Sequence, residues 1–188
     1  MADNEFGYTP WGMDWVRLAE PLRQNRPDPL LPRARSIARN NGVRADIEGR
    51  IVRAHIHRGG QASVTHIEFA PLSRDALTAL AGILPPKPIV LTDDMHRAAV
   101  AAGAHPTPVP AATDCSCSAR TPRCVHVLAT FYEMARRVDE NPRISLEVQG
   151  YGVAPAEVAA AAATPGEVSH RLPVNTLDPA GFFDLPPR

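Results

Sequence analysis

Three cysteines and one histidine crowd into a single short stretch, "TDCSCSARTPRCVHV", as Cys115, Cys117, Cys124 and His126. The 188-residue chain has no other cysteine. Thiolate and imidazole are the usual ligands of zinc, and a Cys3His set closes a tetrahedron with no open position. Cys115 and Cys117 would share one face of an extended segment with little between them, so a tight knuckle is needed for both to grip one ion. Residues two apart in an α-helix lie about 200° apart around its axis. Cys124 therefore belongs in the turn before a helix and His126 in its first turn, with Thr121-Pro122 as a cap-like start.

Other chemistry suits these residues less well. An odd number of cysteines leaves one over from any disulfide framework. Redox pairs favour Cys-x-x-Cys, which is missing here. Catalytic zinc needs an open coordination position and a general base nearby, and no His-x-Glu or Glu-x-x-His pattern accompanies the cysteines. One structural Zn2+ is the expected cofactor.

The elements that must hold this loop are short. Twenty prolines, more than one residue in ten, break helices and strands, while 44% apolar residues suffice for a core. "FGYTPWGMDWVRLAEPL" places Trp11, Trp15 and Leu18 at helical spacing, and "RPDPLLP" is a proline-broken connector. "RARSIARNNGV" predicts a short arginine-studded helix closed at Asn41-Gly42. The run "VRADIEGRIVRAHIHRGGQASVTHIEFAPL" reads as two strands around Gly59-Gly60. Val52, Ala54 and Ile56 share one face there, Arg53, His55 and His57 the other, and Thr65, Ile67 and Phe69 follow in alternation. His55, His57 and His66 are read as facing solvent.

Ser73 caps a helix with Leu77, Leu80 and Leu84 on one side, and Thr92 caps another that ends near Gly103. "PPKPIVL" predicts a strand between them, and "AHPTPVPAAT" runs extended into the cysteine loop. After the loop, Val127, Leu128, Phe131, Ala135 and Val138 recur at three and four residues, an amphipathic helix stopped by Asn141-Pro142. "RISLEVQGYGV" predicts a final strand. The fold class expected is α+β: a small antiparallel hairpin or sheet with short helices and one zinc-stapled knuckle-plus-helix unit at about 113–139. One domain spans 1–154, and 155–188 is an Ala/Pro-rich extension ending in "LDPAGFFDLPPR".

Net charge is zero but unevenly spread. Residues 17–58 hold ten arginines against Glu20, Asp28, Asp46 and Glu48, a surplus of +6. Within that block Arg33, Arg35 and Arg39 fall on one predicted helix, and Arg50, Arg53 and Arg58 on or near the hairpin. Arginine grips phosphate in bidentate fashion, so these six are the candidate contacts to DNA or RNA. Reversing the charge of Arg33, Arg35 and Arg39 is expected to abolish nucleic-acid affinity without touching stability. No run of eighteen apolar residues suggests a membrane span, and "MADNEFGYTPWG" lacks the pattern of a signal peptide, so a cytoplasmic location is expected.

Cys-x-Cys, a spacer, then Cys-x-His resembles the SWIM zinc finger, with Cys115, Cys117, Cys124 and His126 at its four ligand positions. "FGYTPWGMDWV", "RARSIARNNGV" and "LDPAGFFDLP" resemble flanking motifs of the bacterial SWIM family. Pro10, Ser118 and Val125 depart from the family pattern. At Val125 a basic residue is common, which weakens any grip of this helix start on phosphate. The resemblance implies a non-catalytic module that binds DNA or protein, often associated with Swi/Snf-type helicases. A P-loop, a dinucleotide fingerprint and a nucleophile context are all missing from the sequence. The expectation is therefore a binding protein, not an enzyme, with a protein partner, no membrane and no small-molecule substrate.

Overall fold

The structure, a computed structural model, describes residues 5–23, 26, 28–58, 60–84, 90–119 and 121–152, the side chain of Arg58 excepted. The readings made for 155–188 lie outside these residues. The fold is α+β, with one antiparallel sheet in the order β1-β2-β3-β4. The strands are β1 (Val43–Glu48), β2 (Ile51–Arg58), β3 (Gln61–Phe69) and β4 (Pro110–Cys115).

Alternation along the first three strands buries Val43, Ala45, Val52, Ala54, Ile56, Thr65, Ile67 and Phe69. Arg44, Asp46, Glu48, Arg53 and His57 stay exposed, the pattern of a sheet with one wet face. His55 and His66 also lie on the outward side but are half-buried.

One expected strand is two. The chain folds back at Gly49-Arg50, so that Glu48 pairs with Ile51. Gly49 has φ 59, which glycine adopts freely at the first position of a two-residue hairpin loop. The sequence carried a subtler sign of it. Burial moves from odd positions in β1 to even positions in β2, a change of phase that an uninterrupted strand would not show.

The helices are α1 (Pro10–Ala19), α2 (Leu31–Arg39), α3 (Arg74–Ile83), α4 (Asp93–Ala101), α5 (Val125–Glu140) and α6 (Arg143–Glu147). Thr9, Ser73 and Thr92 cap α1, α3 and α4 by accepting from the N–H groups of Gly12, Ala76 and Met95. Leu80 and Leu84 are core, but Leu77 is 38% exposed and does not share their burial. Of the expected "PPKPIVL" strand only Val90 and Leu91 are described, and neither is in a strand.

The final strand is instead α6. The apolar Ile144, Leu146 and Val148 imitate strand alternation, but Pro142 opens a helical turn. Arg143 and Glu147 pair across it at 3.1 Å. Ser145 is buried where it accepts the Trp15 Nε1–H at 3.2 Å.

Helix α5 is the axis of the domain. It packs against α1 and α2 and also touches β1, β3 and β4, so most of its circumference is buried. Its Tyr132 hydroxyl donates to Glu20 Oε1 and accepts from Arg35 Nε at 3.1 Å. Burial first, and Glu20 beside it, hold the Tyr132 phenol well above its ordinary range. A raised folded-state value contributes stability that is fully present below about pH 10, the usual phenol value, and is lost as pH rises toward the folded value. Burial also raises the Tyr151 phenol, so spectrophotometric titration of the folded protein should show two phenols ionising late, that of Tyr132 together with unfolding. Tyr132→Phe should remove that component, and its persistence would assign it to another tyrosine.

The N-terminal segment is tied to the other end of α5. Asp139 accepts the N–H groups of Gly7 at 2.7 Å, Tyr8 at 3.3 Å and Thr9 at 2.9 Å, and the Thr9 hydroxyl at 2.8 Å. Gly7 has φ 71, and a Cβ on Gly12 would lie 2.1 Å from Asp139 Oδ1. The two glycines of "FGYTPWG" thus let the backbone close around a buried carboxylate. Trp11 and Trp15 fill the core behind it, Trp11 donating to the Thr92 carbonyl at 3.1 Å. His96 Nε2 meets Asp14 Oδ2 at 2.8 Å, joining α4 to α1. Among the described residues no helix is long and apolar enough to cross a membrane.

Candidate metal centre

Two elements bring the four ligands together. Cys115 is the last residue of β4 and pairs with Thr65. Ser116 fastens that strand end, donating its N–H to the Val64 carbonyl and accepting the Val64 N–H at its hydroxyl, both at 2.9 Å. Cys117 follows in the knuckle. Cys124 is the N-cap of α5, extended at φ −70 and ψ 165, and its carbonyl accepts the Leu128 N–H at 3.1 Å. His126 stands in the first turn, as the spacing requires.

The helix starts later than Thr121-Pro122 suggested. Thr121 precedes the turn and Pro122 begins it, and the Pro122 carbonyl accepts the Thr113 hydroxyl at 3.3 Å. A proline at the first helical position would have stood one residue after the cap, but Pro122 precedes Cys124. Arg123, which the sequence reading passed over, anchors the turn. It donates to the carbonyls of Leu18 at 3.0 Å and Ala19 at 2.8 Å, where α1 leaves carbonyls unsatisfied. A basic residue next to the last cysteine was the available signal.

The ligand atoms of Cys115, Cys117, Cys124 and His126 all lie within 4.8 Å of one another. Cys115 Sγ is 3.7 Å from His126 Nδ1. Metal–sulfur bonds of about 2.3 Å and metal–nitrogen bonds of about 2.0–2.1 Å give a tetrahedron with edges of roughly 3.6–3.8 Å. The donors therefore fit one ion, with Nδ1 turned toward the sulfurs.

Burial pushes the Cys115 thiol up to about 12, because desolvation disfavours a thiolate. Neighbouring cysteines at such range would repel one another when ionised, and a cation among them removes that penalty. Burial, with Arg33 nearby, holds His126 below its usual range, toward the neutral form that ligates. This cluster can hold one metal ion.

The six candidate arginines do not form one surface of free charge. Arg35 is committed to Glu20 and Tyr132, and Arg39 to Glu5. Arg50 donates to the Phe69 carbonyl at 2.9 Å and pairs with Glu68 at 3.3 Å. Arg53 lies on the wet face of the sheet, opposite Asp46 on one side and His66 on the other. Arg33 is exposed on α2 and near enough to His126 to shift it. The side chain of Arg58 lies outside the described residues. Charge reversal at Arg35 would set a carboxylate against Glu20, so that position also tests stability, contrary to the expectation from sequence.

Compared with known proteins, the chain matches no family model, no curated sequence and no solved structure.

Proposed function

We propose that the chain is a non-catalytic binding module of the SWIM type, built around one structural Zn2+. In this reading it is an accessory subunit that binds a protein partner, DNA or both in a helicase or remodelling complex of the Swi/Snf type. The observation that carries the proposal is the Cys3His cluster, whose four ligand atoms lie within 4.8 Å of one another. Three sulfurs and a nitrogen in that geometry suit zinc, and a closed site supplies a staple rather than a reaction centre. Cys115, Cys117, Cys124 and His126 would hold the ion, which would join the end of β4 to the start of α5.

A second reading, a protein adaptor with no nucleic-acid contact, draws support from the ion pairs of Arg35, Arg39 and Arg50. Both readings are separated by one experiment. Metal analysis should find one zinc per chain, and the tagged protein should then be recovered from its native lysate with and without nuclease. A protein partner that survives nuclease supports the adaptor. Recovery that depends on nucleic acid points to Arg33, Arg44 and Arg53, whose charges can be changed without breaking a described ion pair. In that case substituting each phosphate contact should lower the salt slope of binding by about one. A chain that binds no zinc would sink the proposal.

A further inference from the structure

We infer that the open edge of β4 is a docking strand for an extended peptide of a partner protein, one that alternates acidic and apolar side chains. This inference rests on the reading that the chain acts by binding a partner. Among the described residues strand β4 ends the sheet, paired with β3 on one side only. Ser116 donates its N–H to the Val64 carbonyl. The alternation of an antiparallel ladder then turns the backbone groups of Asp114 and Ala112 toward β3 and those of Thr113 away from it. Such unpaired edge groups recruit further strands, and proteins commonly guard them with charge, proline or a covering loop. Among the described residues this edge carries Pro110, followed by Ala111, Ala112 and Thr113, and Pro122 meets it only at the Thr113 hydroxyl, 3.3 Å from its carbonyl.

A groove of about 420 Å³ runs along these same four residues. Leu18, Pro21, Pro122 and Phe131 give it apolar walls, and among the described residues Arg17 and Arg123 are its charged groups, with no acidic residue in the lining. Arg123 donates to two neutral carbonyls, so no carboxylate offsets its charge among the described residues. Arg17 touches Asp14 at 3.3 Å, yet its side chain remains 49% exposed. Strand addition draws affinity from main-chain hydrogen bonds and specificity from alternate side chains. The apolar walls suit one set of those side chains, and the two guanidinium groups suit carboxylates on the other. The metal centre would shape this groove, since β4 ends in Cys115 and Arg123 adjoins Cys124.

The test is an amide NMR titration of the full zinc-loaded chain with acetyl-(Asp-Val)3-amide. Controls are the same peptide with alternate backbone nitrogens methylated, and acetyl-(Lys-Val)3-amide. The acidic peptide is expected to shift the amides of Ala111 to Thr113, and each control to bind about tenfold more weakly. Arg17→Glu should weaken the acidic peptide by a similar factor. Equal binding of the methylated peptide, or no shift in β4, overturns the inference. Concentration-dependent shifts of the same amides without peptide would assign the edge to a second copy of the chain, and also overturn it. A silent β4 in a chain that still retains a nuclease-resistant protein partner would leave the binding-module reading standing. Loss of both would remove both.

Discussion

A Cys124→Ser chain is expected to lose the proposed zinc and its cooperative unfolding transition together. Cys124 is 2% exposed and caps the helix against which α1, α2 and the sheet all pack. With the proposed zinc in place, losing its thiolate would leave three donors, and the join between β4 and α5 would fail where the core begins. Zinc binding by such sites is worth about 10–16 kcal/mol, against about 5–15 kcal/mol for the stability of a whole domain. The effect should therefore reach well beyond the loop. Near-UV circular dichroism, dominated by the buried Trp11 and Trp15, should collapse in the variant and in wild type treated with a strong chelator. His126→Ala should behave the same way. A Cys124→Ser protein that binds no metal yet melts at the wild-type midpoint would show that the centre contributes nothing to the fold.

The second large effect is expected at the opposite end of α5. Asp139→Ala strands three N–H groups and the Thr9 hydroxyl at once. Hydrogen bonds to a charged group are worth about 1.5–3 kcal/mol each, and buried donors without partners add their own desolvation cost. Some of these groups will find water, so a net loss of about 3 kcal/mol is a reasonable floor. At about 2–4 °C per kcal/mol for a domain of this size, the thermal midpoint should fall by roughly 6–12 °C.

Gly12→Ala should be comparably damaging for a different reason, since its Cβ would press on the Asp139 carboxylate. The two substitutions share one space. Combined, they should cost clearly less than the sum of the single changes, because Asp139→Ala clears the room that Gly12→Ala needs. Strict additivity, measured by denaturant unfolding of the four proteins, would rule out this packing.

What was legible in the sequence was local. Ligand types and spacing marked Cys115, Cys117, Cys124 and His126, and the 3.6-residue turn alone placed Cys124 before a helix and His126 inside it. The caps Ser73 and Thr92 and the apolar face of α5 were readable because capping and amphipathicity are written within a few residues of where they act. The Gly49-Arg50 turn was missed because a two-residue hairpin interrupts the pattern so briefly. Helix α6 was missed because Ile144, Leu146 and Val148 carry a period of two, and the partner that places Ser145 inside is Trp15, 130 residues away.

The sequence by itself determined the donor set and the α+β elements that carry it, since both depend on residue type and short-range periodicity. Only the tertiary structure decided which charges are free. Glu5 meets Arg39, Glu20 meets Arg35, and Asp139 gathers the N-terminal backbone across 130 to 132 residues of chain. Linear charge counting treats such partners as independent, whereas folding sets them in contact, where opposite charges and hydrogen bonds satisfy one another instead of facing solvent.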